Sequence, residues 1–250
     1  MNSSEEAQKA HYNKISDAYA AHYGDKWSQK YRNKFINQSL VKDIELDGKL
    51  VLEGMCGSGE TTKFLLEKQA KVIGLDISEH EIDNFKNRWV DCDARCSSIR
   101  ETGFEDNHFD VVLVVGGLHH VHPNVDEVIE EIHRVLKPGG YFCFFEPHKN
   151  SFPDALRKLW YKHDDLFEDN EESIDVEHIE EKFRGKFKIV MTEYGGNIGY
   201  LAIFNSMVLR IPLILKPFIS PLLMLLESLI KPFQTKHSSC FVIGRWQKNF

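Results

Sequence analysis

The chain of 250 residues carries 38 acidic against 31 basic side chains, a formal charge of -7, with 42% hydrophobic content. That supplies one sizeable core with a small appendage, and the lack of any long Lys/Arg block argues against a nucleic-acid partner, whose phosphates need clustered cations. The five cysteines, an odd number without paired CxxC spacing, and the absence of a basic, apolar leader point to a reducing cytoplasm.

In chain order, residues 1–48 are polar and aromatic-rich, and Tyr12, Ile15, Tyr19 and Tyr23 fall three or four apart, on one face of a helix. This stretch reads as a helical lid ahead of a core spanning 49–250. Strands are expected near 49–53, 71–76, 109–115 and 141–146, alternating with helices near 60–69, 78–88 and 124–136. Such alternation implies an α/β fold, a parallel sheet covered on both faces by helices. Lys137-Pro138-Gly139-Gly140 stops the third helix and turns the chain into the apolar run from Tyr141. Residues 161–185 hold ten carboxylates and read as a solvated, mostly helical face. Two further strands are expected at 186–191 and 240–246.

Between them lies an apolar insertion, 197–235, with four of the eight prolines in 200–233. Its longest uncharged stretch, Pro217 to Leu226, is half of what a membrane-spanning helix needs. Two readings stay open: helices that cap a substrate pocket, or a surface that rests on a bilayer with Arg210, Lys216 and Lys231 at the headgroups. Pro212, Pro217 and Pro221 favour the cap, because proline interrupts a long interfacial helix.

The ligand reading starts from Leu50-Val51-Leu52-Glu53-Gly54-Met55-Cys56-Gly57-Ser58-Gly59, followed seventeen residues after Gly59 by Asp76. A strand, a glycine turn, a helix and a second strand ending in a carboxylate describe a nucleotide-binding βαβ unit in which Asp76 accepts a ribose diol. Ser78 and Glu81 can cap the next helix, which leaves Asp76 to the ligand. The N–H groups near Thr61 and Thr62 favour negative charge. Glu53, however, would repel a pyrophosphate and suits an ammonium group, so a methionine-like moiety fits better than a dinucleotide.

These segments, with Phe109-Asp110-Val111-Val112, Leu118-His119-His120-Val121 and Arg134-Val135-Leu136-Lys137-Pro138-Gly139-Gly140, resemble the successive motifs of class I S-adenosylmethionine-dependent methyltransferases over residues 10–148. The resemblance implies a Rossmann-like, seven-stranded, mostly parallel sheet whose last two strands form an antiparallel edge pair. It implies S-adenosyl-L-methionine as cofactor, held by Tyr12 and Tyr19 of the lid, by Glu53, Gly54, Cys56, Gly57 and Gly59, by Asp76 and Ile77, and by Val115 and Gly116. The adenine contact is either Ser98 or Asp93, with Ser98 the better aligned. Met55 stands where the family usually has glycine, which puts the backbone of the turn in question, with Gly54 beside it able to absorb part of the change.

Methyl transfer from a sulfonium needs alignment of nucleophile, methyl and sulfur, and removal of a proton when the acceptor is a hydroxyl. His119 and His148 follow the fourth and fifth strands, where the acceptor would sit, and are candidate general bases. Neighbouring histidines on one short loop, as at 119, 120 and 122, rarely converge on one ion without carboxylate or cysteine partners, so no metal is expected. The expected acceptor is a small, partly hydrophobic molecule or a sugar on a carrier, methylated at oxygen. The alternatives are methylation at carbon or nitrogen of a quinone- or lipid-like acceptor, and a non-catalytic cofactor-binding partner subunit. A homodimer is left open.

Overall fold

The computed structural model describes residues 21–161, 172–207 and 209–250. Among them, seven strands form one sheet: β1 (Leu50–Gly54), β2 (Lys71–Asp76), β3 (Asp93–Cys96), β4 (Phe109–Val115), β5 (Leu136–Pro147), β6 (Phe187–Gly195) and β7 (Phe241–Lys248). Their order is β3-β2-β1-β4-β5-β7-β6, with β1 to β5 parallel and β7 antiparallel to both of its neighbours. The final strand therefore inserts between β5 and β6 rather than closing an edge. β3 is short and mostly exposed, so no apolar run betrayed it in the sequence.

The central strands are apolar on both faces because both faces are covered. Alternation along β4 divides them: Val111 and Leu113 join one core layer, Val112 and Val114 the other. The first layer packs under α1 (Lys26–Tyr31), a π-helical stretch Arg32–Asn37, α2 (Gln38–Leu40), α3 (Thr62–Glu67) and α4 (Glu79–Arg88). The second packs under α5 (Val125–Val135) and α7 (Val176–Phe183). On α5, Val125, Val128, Ile129, Ile132 and Val135 are buried, the three-and-four spacing of a helix with one apolar face. Helix α4 starts as its sequence dictates, with the Ser78 hydroxyl accepting the Glu81 N–H at 3.2 Å.

Part of the acidic stretch 161–185 lies outside the described residues; α6 (Phe152–Tyr161) precedes that gap and α7, capped by Asp175, follows it. In the apolar insertion a π-helical turn, Tyr200–Phe204, leads through the turn Leu213–Leu215 into α8 (Lys216–Ile230) and a last turn, Lys231–Phe233. The prolines do not interrupt α8, contrary to the sequence expectation. Pro217 sits in the first turn, where its missing N–H has no partner to lose, and Pro221, a turn later, is accommodated inside the helix.

Candidate active site

The carboxyl ends of β1, β2, β4 and β5 form one rim, and a carboxylate stands near the end of three of them: Glu53, Asp76 and Glu146. At β2, Asp76 Oδ1 accepts the Ser78 N–H at 3.0 Å and Oδ2 the Gly57 N–H at 2.9 Å. These bonds fix the carboxylate's orientation, while burial pushes its pKa up. An ionised carboxylate offers about four acceptor positions, so capacity remains on both oxygens for a vicinal diol.

Glu53 is buried, with Oε1 accepting the Thr61 N–H at 3.1 Å and Oε2 the Thr62 hydroxyl at 2.5 Å. The start of α3 thus meets its anion within the chain, and burial lifts Glu53 to about 7. Arg32 donates to the Thr61 hydroxyl at 3.0 Å, and Gln29 and Arg88 both donate to Glu60 at 2.7 Å. Residues from α1, the π-helical stretch and α4 therefore hold the glycine loop from outside. Arg32, Glu60 and Glu146 carried no motif in the sequence, although Glu146 repeats the strand-end carboxylate of β1 and β2.

Within the loop the backbone differs from the expectation at Met55. Its own φ is 53°, the left-handed region, so Met55 takes the glycine conformation and Gly54 does not absorb it. Gly54 is needed for space, since a Cβ there would lie 2.4 Å from Ile99 Cδ1. Gly59 is needed for both reasons: φ is 84°, and a Cβ would fall 2.3 Å from Trp89 Nε1, which donates to the Ser58 carbonyl at 3.1 Å. Gly57 has a φ of 51° and gives its N–H to Asp76. The Cys56 side chain packs in the core near Gly74, so its backbone is what it offers a ligand. Ile77 is half-buried directly after Asp76.

Asp93 opens β3 at the end away from the rim, whereas Ser98 follows the strand's carboxyl end and accepts the Arg100 N–H at 3.2 Å. Tyr12 and Tyr19 lie outside the described residues. Tyr23 is buried against Phe204 and donates to Asn205 Oδ1 at 3.1 Å.

The loop after β4 is built around Glu146. Its Oε1 accepts the N–H groups of Gly117 and Leu118 at 2.8 and 2.7 Å, and its Oε2 accepts the His119 N–H at 3.3 Å and lies 2.7 Å from His119 Nδ1. These bonds hold the short turn Leu118–His120 over the end of β5, and burial raises Glu146 to about 7. Val115 is half-buried beside it. Gly116 has a φ of 72° with nothing within 4 Å of where a Cβ would stand, so conformation alone requires glycine. The two loops touch, because a Cβ on Gly117 would lie 2.7 Å from Met55 Sδ.

His148 is placed differently. It is buried, edge-on to the Tyr194 ring at 4.7 Å, and its Nδ1 has no hydrogen-bond partner. Burial lowers its pKa, and the structure gives it no bond to Glu146 or His119. Of the two candidate bases, His119 is the one held by a carboxylate at this rim.

The residue types at the rim fit S-adenosylmethionine: an oriented carboxylate with spare acceptor capacity, an apolar Ile77 beside it, and glycine backbone at both loops. The comparisons agree. Residues 52–144 match the family model described as "Methyltransferase domain". A sterol 4-C-methyltransferase of Caenorhabditis elegans, strm-1, is 32% identical over 136 residues, covering 52% of this chain and 40% of that protein. A fatty-acid O-methyltransferase of Mycolicibacterium smegmatis is 33% identical over 131 residues, covering 48% of this chain and 46% of that protein. The chain thus spans less than half the length of these two curated relatives. Among solved structures, the 1,6-didemethyltoxoflavin-N1-methyltransferase of Burkholderia thailandensis, with S-adenosylhomocysteine bound, aligns at a TM-score of 0.59 and 17% identity, covering 100% of this chain and 92% of that one. The motifs, the sheet and the family match together show that residues 52–144 carry a methyltransferase domain of the S-adenosylmethionine-dependent kind.

Proposed function

We propose that the protein methylates a hydroxyl of a small, partly hydrophobic acceptor, with His119 as general base and Glu146 as the group that positions it. The observation that carries this reading is the 2.7 Å contact between His119 Nδ1 and Glu146 Oε2, at a rim where Glu146 also gathers three backbone N–H groups. Those N–H groups favour the ionised carboxylate against the burial that raises its pKa. A carboxylate beside Nδ1 keeps the ring proton there, so Nε2 is the nitrogen that takes a proton from the acceptor.

S-adenosylmethionine, when bound, supplies an electrophilic methyl on a positively charged sulfur. The acceptor hydroxyl, once aligned with that methyl group, would give its proton to His119. Glu146 then faces an imidazolium, whose charge it stabilises. The curated relatives named above act on a sterol and on a fatty acid by their printed descriptions, which supports a lipophilic acceptor here. Carbon methylation is the second reading, favoured by the sterol relative's printed name; it too releases a proton, from carbon, so the methylated product and not dependence on His119 tells the two apart.

The test is turnover of lipophilic alcohols, phenols and acids alongside calorimetry with S-adenosylhomocysteine. His119→Ala should lower kcat about 10²–10⁴-fold with unchanged cofactor affinity, whereas Asp76→Ala should weaken cofactor binding by about 1–3 kcal/mol. Full activity in His119→Ala removes the base assignment. Unchanged affinity in Asp76→Ala removes the placement of the ribose.

A further inference from the structure

The insertion before β7 presents an apolar face that the described residues leave uncovered. Ile214, Phe218, Leu222, Leu225, Leu229 and Phe233, three or four residues apart, form one stripe, and each is 56–81% exposed. Six adjoining large apolar side chains, each more than half exposed, make a contiguous patch of the kind that marks an interaction surface, unlike single apolar residues scattered over a monomer.

The stripe cannot turn inward, because the opposite side of the same helix is fastened. Lys216 is buried, with Nζ bonded to Asp25 and donating to the Ser28 hydroxyl at 2.8 Å. Near the other end, buried Glu227 accepts the Tyr31 hydroxyl at 2.9 Å and the Asn197 and Tyr200 N–H groups at 3.2 Å. Leu213–Phe233 is long and apolar enough to cross a bilayer, but these two buried charged residues bind it lengthwise to α1, and an in-plane attachment is the geometry left to it.

Charge selects the occupant. The chain as a whole is acidic, at -7, yet between residues 197 and 240 the single carboxylate is the buried Glu227, while Arg210, Lys231 and Lys236 flank the stripe at its two ends. Lys236 holds Glu177 in an exposed pair, worth little in water and readily exchanged for another anion, while Lys231 holds Glu193 in a half-buried one. Two copies meeting through this face would bring basic ends together with no acid from the insertion to offset them. Anionic headgroups meet both ends favourably.

We propose that the outer face of α8 and its flanking turns docks on an anionic lipid bilayer, so that the protein collects its acceptor from the membrane. This deepens the reading of a lipophilic acceptor above and rests on it for the acceptor, but the docking stands on the stripe and its charges alone.

The experiment is co-sedimentation of the full chain with phosphatidylcholine vesicles, with and without phosphatidylglycerol, next to light scattering and S-adenosylhomocysteine calorimetry. The wild type should pellet with the anionic vesicles, less with the neutral ones, and less as salt rises. Phe218→Glu and Leu222→Glu should each lower vesicle affinity about ten-fold or more, with cofactor affinity and circular dichroism unchanged, which separates lost docking from lost folding. A wild type that stays in the supernatant with both vesicles overturns the proposal. So does a dimer in solution that Leu222→Glu dissociates, since the face would then belong to a second copy. Failure of docking with intact cofactor binding leaves the methyl-transfer reading standing, and the reverse result separates them equally.

Discussion

The loop after β1 and the loop after β4 are both gathered around a buried strand-end carboxylate, and burial lifts both acids to about 7. Their bonds differ. Glu53 uses its oxygens on the Thr61 N–H and the Thr62 hydroxyl, so its effect is to hold a helix start and the shape of a glycine turn. Glu146 gathers three N–H groups and, in addition, a histidine ring. The same device holds a glycine loop where its partners cannot titrate and, on the reading proposed above, positions a base where one of them can.

The largest break in that comparison is Glu146→Ala. It orphans two buried N–H groups and a half-buried third, at about 1–3 kcal/mol for each that water does not reach, and frees the His119 ring. Thermal unfolding should show the loss, and kcat should fall as far as in His119→Ala. Glu146→Gln, which keeps an acceptor for the N–H groups, should recover most of the stability and little of the turnover.

A paired glycine test follows. Gly59→Ala meets both a left-handed backbone and Trp89, so it should lose about 1–2 kcal/mol for conformation and a further 1–3 kcal/mol for overpacking. Gly116→Ala meets open space and should lose only the first amount. Equal losses in denaturant unfolding would mean that the two loops are built alike after all.

These glycines mark how much of the site was legible in advance. The turn from Gly54 to Gly59 and the Asp76 seventeen residues on are local patterns, readable because a strand–turn–helix unit needs those residue types in that order. The Glu146–His119 pair was legible only as two separate strand ends, since residues 27 apart meet only once β4 and β5 are in register.

The smallest expected effect concerns pH. Glu53 has a folded pKa raised by burial above its value of 4.5 in the unfolded chain, so the fold favours its protonated form. That contribution is fully present below about pH 4.5 and is lost as the pH rises through about 7. Arg32 opposes the shift and Glu60 adds to it. Melting temperature measured from pH 5 to 8 should therefore fall less steeply in Glu53→Gln than in the wild type. Parallel curves would show that Glu53 stays ionised throughout.

The sequence by itself determined the alternation of strands and helices, the glycine loop, the strand-end carboxylates and the apolar character of the insertion. All of these are written in periods of a few residues, where side-chain type and backbone preference act directly. Tertiary structure alone decided that β7 lies between β5 and β6, that Met55 rather than Gly54 adopts the left-handed backbone, that His119 and not His148 meets Glu146, and that α8 turns its leucines outward. Each of these depends on which distant groups become neighbours: Lys216 with Asp25 and Glu227 with Tyr31 fix the roll of α8, and pairings across nearly two hundred residues leave no trace in local sequence.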